Sequence, residues 1–125
     1  MYKIRILIAD DSDGYRESLK NILNSQEDME VVGDTSNGEE AFKLAMKLEP
    51  DFIVMDVKMP GLSGDAATQK IRKDLLGVKI LMVSGNKYDG YELEEIRKQS
   101  DGFLTKGIGM EEMIKTIREL FKPKK

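Results

Sequence analysis

The sequence predicts an α/β domain of five strand–helix units, (βα)5, doubly wound about one parallel sheet. Three observations carry that prediction. Short apolar runs recur along the 125 residues at 4–9, 29–32, 52–55, 78–83 and 102–105. Longer amphipathic stretches separate them, and no linker, repeat or low-complexity segment breaks the alternation. Most of the runs are apolar at successive positions rather than at every second one, which is the pattern of strands covered on both faces.

The first run, from Ile4 to Ala9, is followed by Tyr15, Leu19, Ile22 and Leu23 at spacings of i, i+4, i+7 and i+8, one face of a helix. The second begins at Met29, and Asn37-Gly38-Glu39-Glu40 after it reads as the capped start of a second helix. Phe52 opens the third run; the alternation then places a third helix before Val78, where the fourth run starts. Next comes a less orderly stretch, Asn86-Lys87-Tyr88-Asp89-Gly90-Tyr91, in which Gly90 weakens any helix that begins there. We expect a mobile fourth helix at this point, with Tyr88 and Tyr91 on a partner surface. After the fifth run, Met110, Met113, Ile114, Ile117, Leu120 and Phe121 form the clearest apolar stripe of the chain. Glu111 and Glu112 at its start and Lys122 at its end match the helix dipole.

Composition removes many kinds of chemistry. Hydrophobic residues at 40% and charged residues at 34% mark a folded globular chain rather than a disordered one. There is no Cys, His or Trp. Disulfides, thiolate nucleophiles and cysteine-held zinc are therefore excluded. So are a Ser-His triad, histidine-ligated metals and a phosphohistidine on this chain. A net charge of −3 offers no basic footprint for nucleic acid, and Lys122-Pro123-Lys124-Lys125 reads as a short basic tail. No apolar run approaches the roughly 18 residues of a membrane span, and Met1-Tyr2-Lys3 does not lead into a signal peptide. No membrane contact and a cytoplasmic setting are expected.

Doubly wound sheets bind ligands beyond the carboxyl ends of their strands. The residues at those ends are Asp10 and Asp11, Asp56, Ser84 and Lys106. Singly, each has an ordinary reading: a solvated loop, the start of the Met59-Pro60-Gly61 turn, a loop cap, a surface lysine. Together they put three carboxylates, a hydroxyl and an ammonium on one edge. Three neighbouring aspartates need a cation, and without imidazole or thiolate ligands Mg2+ fits best. Formal charge then balances, with three carboxylates set against a dication and Lys106. Such a site is suited to receiving an anion, and one carboxylate could take up a phosphoryl group as an aspartyl phosphate.

These residues resemble the motif set of the response-regulator receiver domain, the phosphoacceptor half of two-component signalling. The matching positions are Asp10-Asp11, Asp56 within Asp56-Val57-Lys58-Met59-Pro60-Gly61, Ser84-Gly85, and Lys106. The resemblance implies a flavodoxin-like, five-stranded parallel sheet of order 2-1-3-4-5, with residues 1–122 as the receiver and 123–125 as a basic tail or the start of a linker. It implies that Asp56 is the phosphorylated nucleophile. Mg2+ would be held by Asp11 directly, by Asp10 mainly through water, by Asp56 and by the backbone carbonyl of Lys58. Ser84 and Lys106 would bind the phosphoryl group. Phe103 would be an aromatic switch that turns inward when Ser84 moves, and the small Gly85 would leave a path to Asp56. The implied partner is a sensor histidine kinase or phosphotransfer protein, since the donor imidazole must come from another chain. A phosphorylation-dependent homodimer through the fourth helix, fifth strand and fifth helix is also implied, with no nucleic-acid contact by this domain itself. The protein would be a signalling switch that catalyses only its own phosphorylation and dephosphorylation, either free-standing or part of a longer regulator. Two positions depart from the family pattern: Gly107 stands where proline often follows the lysine, and Phe103 has no hydroxyl where the family often has tyrosine.

Three other readings compete. Asp11-Ser12-Asp13-Gly14-Tyr15 resembles the opening motif of haloacid-dehalogenase-type phosphatases, with Asp11 as nucleophile, but no acidic pair follows Lys106 at a strand end and Asp56 is left unexplained. A flavodoxin-like electron carrier would need hydroxyls rather than two aspartates in its first loop. A non-phosphorylated receiver-like binding module would not need the full acidic and lysine set.

Overall fold

A computed structural model describes residues 2–86 and 90–122. Its elements run β1 (Ile4–Ala9), α1 (Asp13–Asn24), β2 (Met29–Thr35), α2 (Gly38–Leu48), β3 (Phe52–Asp56), α3 (Gly64–Asp74), β4 (Lys79–Ser84), α4 (Gly90–Gln99), β5 (Gly102–Thr105) and α5 (Met110–Phe121), with a 3-10 turn at Lys106–Ile108. The strands form one parallel sheet in the order β2-β1-β3-β4-β5, so the strand order reverses between β1 and β3. The expected fold class and strand order are both observed.

The continuous apolar runs are explained by two cores, one on each face of the sheet. Ile4, Ile6 and Ile8 of β1 pack with Leu19 and Leu23 of α1 and Met113 and Ile117 of α5. The alternate residues Leu7 and Ala9 pack with Ala41 and Ala45 of α2, Ala67 and Ile71 of α3, and Ile96 of α4. Each fully buried Ile or Leu is worth about 1.5–3 kcal/mol, so the central strands β1, β3 and β4 dominate stability. By the same measure α4 is weakly held, because Ile96 is its only buried residue.

Among the described residues, side-chain caps begin three of the helices. The oxygens of Ser12, Asn37 and Ser63 accept the backbone N–H groups of Tyr15, Glu40 and Ala66. The Asn37 cap was legible in the sequence. Boundaries differ at three strands, and β3 and β4 each end one residue beyond their apolar runs, at Asp56 and Ser84. β2 continues past Val32 through Gly33-Asp34-Thr35, because a bulge at Val32, opposite Ile6 and Leu7 of β1, resets the register and lets the polar residues keep pairing. β4 starts one residue late, at Lys79, with Val78 buried just before it. Tyr88 and the 123–125 tail lie outside the described residues.

The edge of the sheet where the strands begin is tied by aspartates standing just before β2, β3 and β5. Asp28 accepts the Ile4 N–H on its carbonyl at 2.8 Å and holds Arg118 of α5 with its carboxylate at 2.9 and 3.0 Å. Asp51 accepts the Arg5 N–H at 2.9 Å. One carboxylate oxygen of Asp101 accepts from the Arg72 guanidinium at 2.6 Å and from the Ile80 N–H at 2.8 Å.

Candidate functional site

The opposite edge, where the strands end, gathers the polar residues. Asp10 follows the last paired residue of β1, and its N–H donates to the Thr35 carbonyl at 3.0 Å, which fixes its backbone against β2. Asp56 is the final residue of β3, inside the strand rather than beyond it, in register with Val83 of β4. Ser84 ends β4 and pairs with Thr105, the residue before Lys106. The topology therefore brings Asp10, Asp56, Ser84 and Lys106 to one place from four strands. Asp10, Asp56 and Ser84 are buried, whereas Asp11 is exposed.

Lys106 reaches into this group. Its ammonium lies 2.8 and 3.0 Å from the two carboxylate oxygens of Asp10 and 3.5 Å from Oδ2 of Asp56. Carboxylate oxygens of Asp10, Asp11 and Asp56 all lie within 4.8 Å of one another. Burial and the Asp10 carboxylate push the Asp56 carboxyl up to about 7; Lys106 pulls the other way, and Asp11 adds a smaller upward push. A single lysine does not neutralise three converging carboxylates.

The donor set fits a hard dication. It consists of oxygens only, at a spacing small enough for one coordination sphere. In addition, Oδ2 of Asp10 is buried and ion-paired to the Lys106 ammonium at 2.8 Å, but without a well-directed hydrogen bond. Buried polar atoms are rarely left so, and a cation between the carboxylates would use that lone pair. Lys58, whose backbone carbonyl was an expected ligand, stands two residues after Asp56 with an exposed side chain.

The other expected residues have mixed surroundings. The Ser84 hydroxyl accepts the Asn86 N–H at 3.0 Å, so it caps its loop as well as facing the edge. Phe103 is half-buried, packed against the core shared by α2, α3 and α4. The turn that Gly107 makes in place of proline is a 3-10 helix closed by Gly109 at φ +94°.

Sequence reasoning did not single out three residues that shape the site. A Cβ on Gly64 would lie 1.7 Å from the Asp56 carbonyl oxygen, so only glycine lets α3 start against the end of β3. Arg16 donates to the Asp10 carbonyl at 2.8 Å while holding Asp34 of β2 at 3.0 Å and Asp13 at 2.8 Å. Tyr15, read only as a core position of the first helix, places its ring 4.6 Å from the Lys106 ammonium. The available signal was an aromatic residue four positions after the acidic pair.

Residues 6–118 match the model of the family described as the response regulator receiver domain. The chain belongs to the response regulator receiver domain family. It is 37% identical over 118 residues to the response regulator GacA of Pseudomonas aeruginosa, covering 94% of this chain and 55% of GacA. It is 32% identical over 114 residues to the nitrate/nitrite response regulator NarL of Escherichia coli K12, covering 91% of this chain and 53% of NarL. The chain thus spans about half the length of these curated relatives. Among solved structures, the response regulator domain of Thermotoga maritima CheB is 34% identical with a TM-score of 0.85, covering 98% of this chain and 99% of that one. As a receiver domain it is a phosphoacceptor signalling module of two-component systems, and receivers bind Mg2+ at an acidic pocket of this kind. Among the described residues, no helix of the receiver is long and apolar enough to cross a membrane.

Proposed function

We propose that Asp56 is the residue of this receiver that accepts the phosphoryl group, and that a histidine of a partner kinase or phosphotransfer protein donates it. The observation that supports this reading most is the meeting of Asp10, Asp11 and Asp56 with Lys106 at one sheet edge, from strands far apart in sequence. A carboxylate oxygen of Asp56 attacks the phosphorus, the P–N bond breaks, and its electron pair leaves with the donor imidazole, which then takes up a proton. Lys106 neutralises a phosphoryl oxygen as charge spreads, and the Ser84 hydroxyl donates to another. Mg2+, held by Asp10, Asp11, Asp56 and the carbonyl of Lys58, would supply Lewis-acid neutralisation of the incoming oxygens. The same residues acting on water account for slow self-dephosphorylation.

Phosphorylation raises the local negative charge to about two on the phosphoryl group. That charge draws Ser84 inward and gives half-buried Phe103 room to turn, which biases the weakly held α4. The α4–β5–α5 face is then the output surface and the candidate phosphorylation-dependent homodimer interface.

Mapping the modified residue tests the reading. After incubation with a small acyl phosphate and Mg2+, mass spectrometry should place the phosphoryl group on Asp56, and Asp56→Asn should abolish it. Labelling of Asp11 instead would transfer the protein to the phosphatase reading, and no labelling at all would leave a binding module.

A further inference from the structure

Lys106 ends in an ammonium on a flexible stem, beside three carboxylates of which one, Asp11, is exposed to solvent. An unconfined ammonium would sample Asp11 and water as well as the position where a phosphoryl oxygen arrives. Something must confine it. Asp10 and Asp56 define one side, at 2.8 and 3.5 Å. The other side is the Tyr15 ring, with its centroid 4.6 Å from Nζ. The face of an aromatic ring attracts a cation and offers no competing hydrogen-bond acceptor, so the ammonium hydrogens are turned toward the carboxylates.

The position of that ring is itself tied to the acidic site. The Ser12 N–H donates to Oδ1 of Asp10 at 2.8 Å, and the Ser12 hydroxyl accepts the Tyr15 N–H at 3.3 Å. Lys106 then donates back to the same Oδ1 at 3.0 Å. The contacts close a circuit from Asp10 through Ser12, Tyr15 and Lys106 back to Asp10. The Ser12–Tyr15 bond is the N-terminal cap of α1, so the turn that presents the Tyr15 ring starts from a residue anchored on the Asp10 carboxylate.

We propose that Tyr15 is a positioning residue for phosphoryl transfer: its ring face holds the Lys106 ammonium toward Asp56. The inference rests on the reading of Asp56 as phosphoacceptor for its consequence, but the placement of Lys106 can be measured independently.

The experiment compares Tyr15→Phe, which keeps the ring, with Tyr15→Leu, which keeps apolar bulk and loses it. In the Mg2+-free protein, brief acylation with an amine reagent is read lysine by lysine by mass spectrometry. Lys106 should react as in the parent in Tyr15→Phe and about two- to fivefold faster relative to the other lysines in Tyr15→Leu, the range expected from loss of one cation–π contact. Phosphorylation of Asp56 by a small acyl phosphate should slow by a similar factor in Tyr15→Leu, with the donor concentration for half-maximal rate unchanged. Equal Lys106 reactivity in all three proteins overturns the proposal. A rise shared by every lysine also overturns it, since that reports general loosening. So does a Tyr15→Phe protein as impaired as Tyr15→Leu, because the hydroxyl would then be the active part. Absence of Asp56 phosphorylation in the parent would count against the proposed function alone, since Lys106 reactivity still reads the positioning.

Discussion

Asp56 lies buried beside Asp10, and its carboxyl is pushed up from 3.8 to about 7 by burial first and the Asp10 charge second. A carboxyl whose pKa is higher folded than unfolded has a definite effect on stability. Below about pH 4 both states are protonated and nothing is lost. Between about 4 and 7 the unfolded chain releases a proton that the folded one keeps, so stability falls as pH rises, and above 7 the whole penalty is present. The Mg2+-free protein should therefore lose roughly 1–3 kcal/mol across that window relative to Asp56→Asn. Urea unfolding of both proteins at a series of pH values would show it; parallel curves would contradict the reading. Tyr15 reports the same field. Its phenol is pushed up to about 12 by burial and then by the Asp10 and Asp56 carboxylates.

Single elements carry the site because their ends are sterically or ionically committed. α3 begins at Gly64 because a Cβ there would overlap the Asp56 carbonyl oxygen. Gly64→Ala should cost about 3 kcal/mol or more and displace Asp56, seen as a large drop in thermal midpoint together with slower phosphorylation; a midpoint near the parent's would show that the helix start yields easily. The first turn of α1 is committed through Arg16, which joins the Asp10 carbonyl to Asp34 of β2. Arg16→Met should weaken Mg2+ binding by about tenfold, as loss of an outer-shell partner does, with calorimetric titration as the measure and unchanged affinity as the contrary result. These commitments also explain what was legible beforehand. Apolar runs revealed the five strands, because both sheet faces are covered and strand residues of either parity are buried; stripes or a cap revealed α1, α2 and α5, while α3 and α4 followed only from the alternation. Asp10, Asp11, Asp56, Ser84 and Lys106 were legible because strand ends in such a sheet face a common edge. Gly64 and Arg16 were not, since their importance depends on what lies opposite them in space. The extent of β2 was missed because Gly33-Asp34-Thr35 pair through a bulge without an apolar pattern.

Across the molecule, the helices are unequally secured. α1 and α5 each bury two side chains in one core, whereas α4 buries only Ile96 in the other. Amide hydrogens of α4 should exchange faster than those of α5, and a phosphoryl mimic such as beryllofluoride should change protection in α4 more than in α1. Identical exchange with and without the mimic would remove α4 from the output path.

The two ends of the sheet are unequal as well. Where the strands begin, Asp28, Asp51 and Asp101 each meet a donor, and Arg118 holds the Asp28 carboxyl below its usual range. Where they end, carboxylates crowd one another. The molecule is thus divided into an anchoring pole and a reactive pole, joined by strands only four to seven residues long. Mutations that add stability at the anchoring pole offer a reserve on which changes of kinetics at the reactive pole can draw. Variation in signal lifetime and variation in robustness can then proceed at separate addresses in the same small protein.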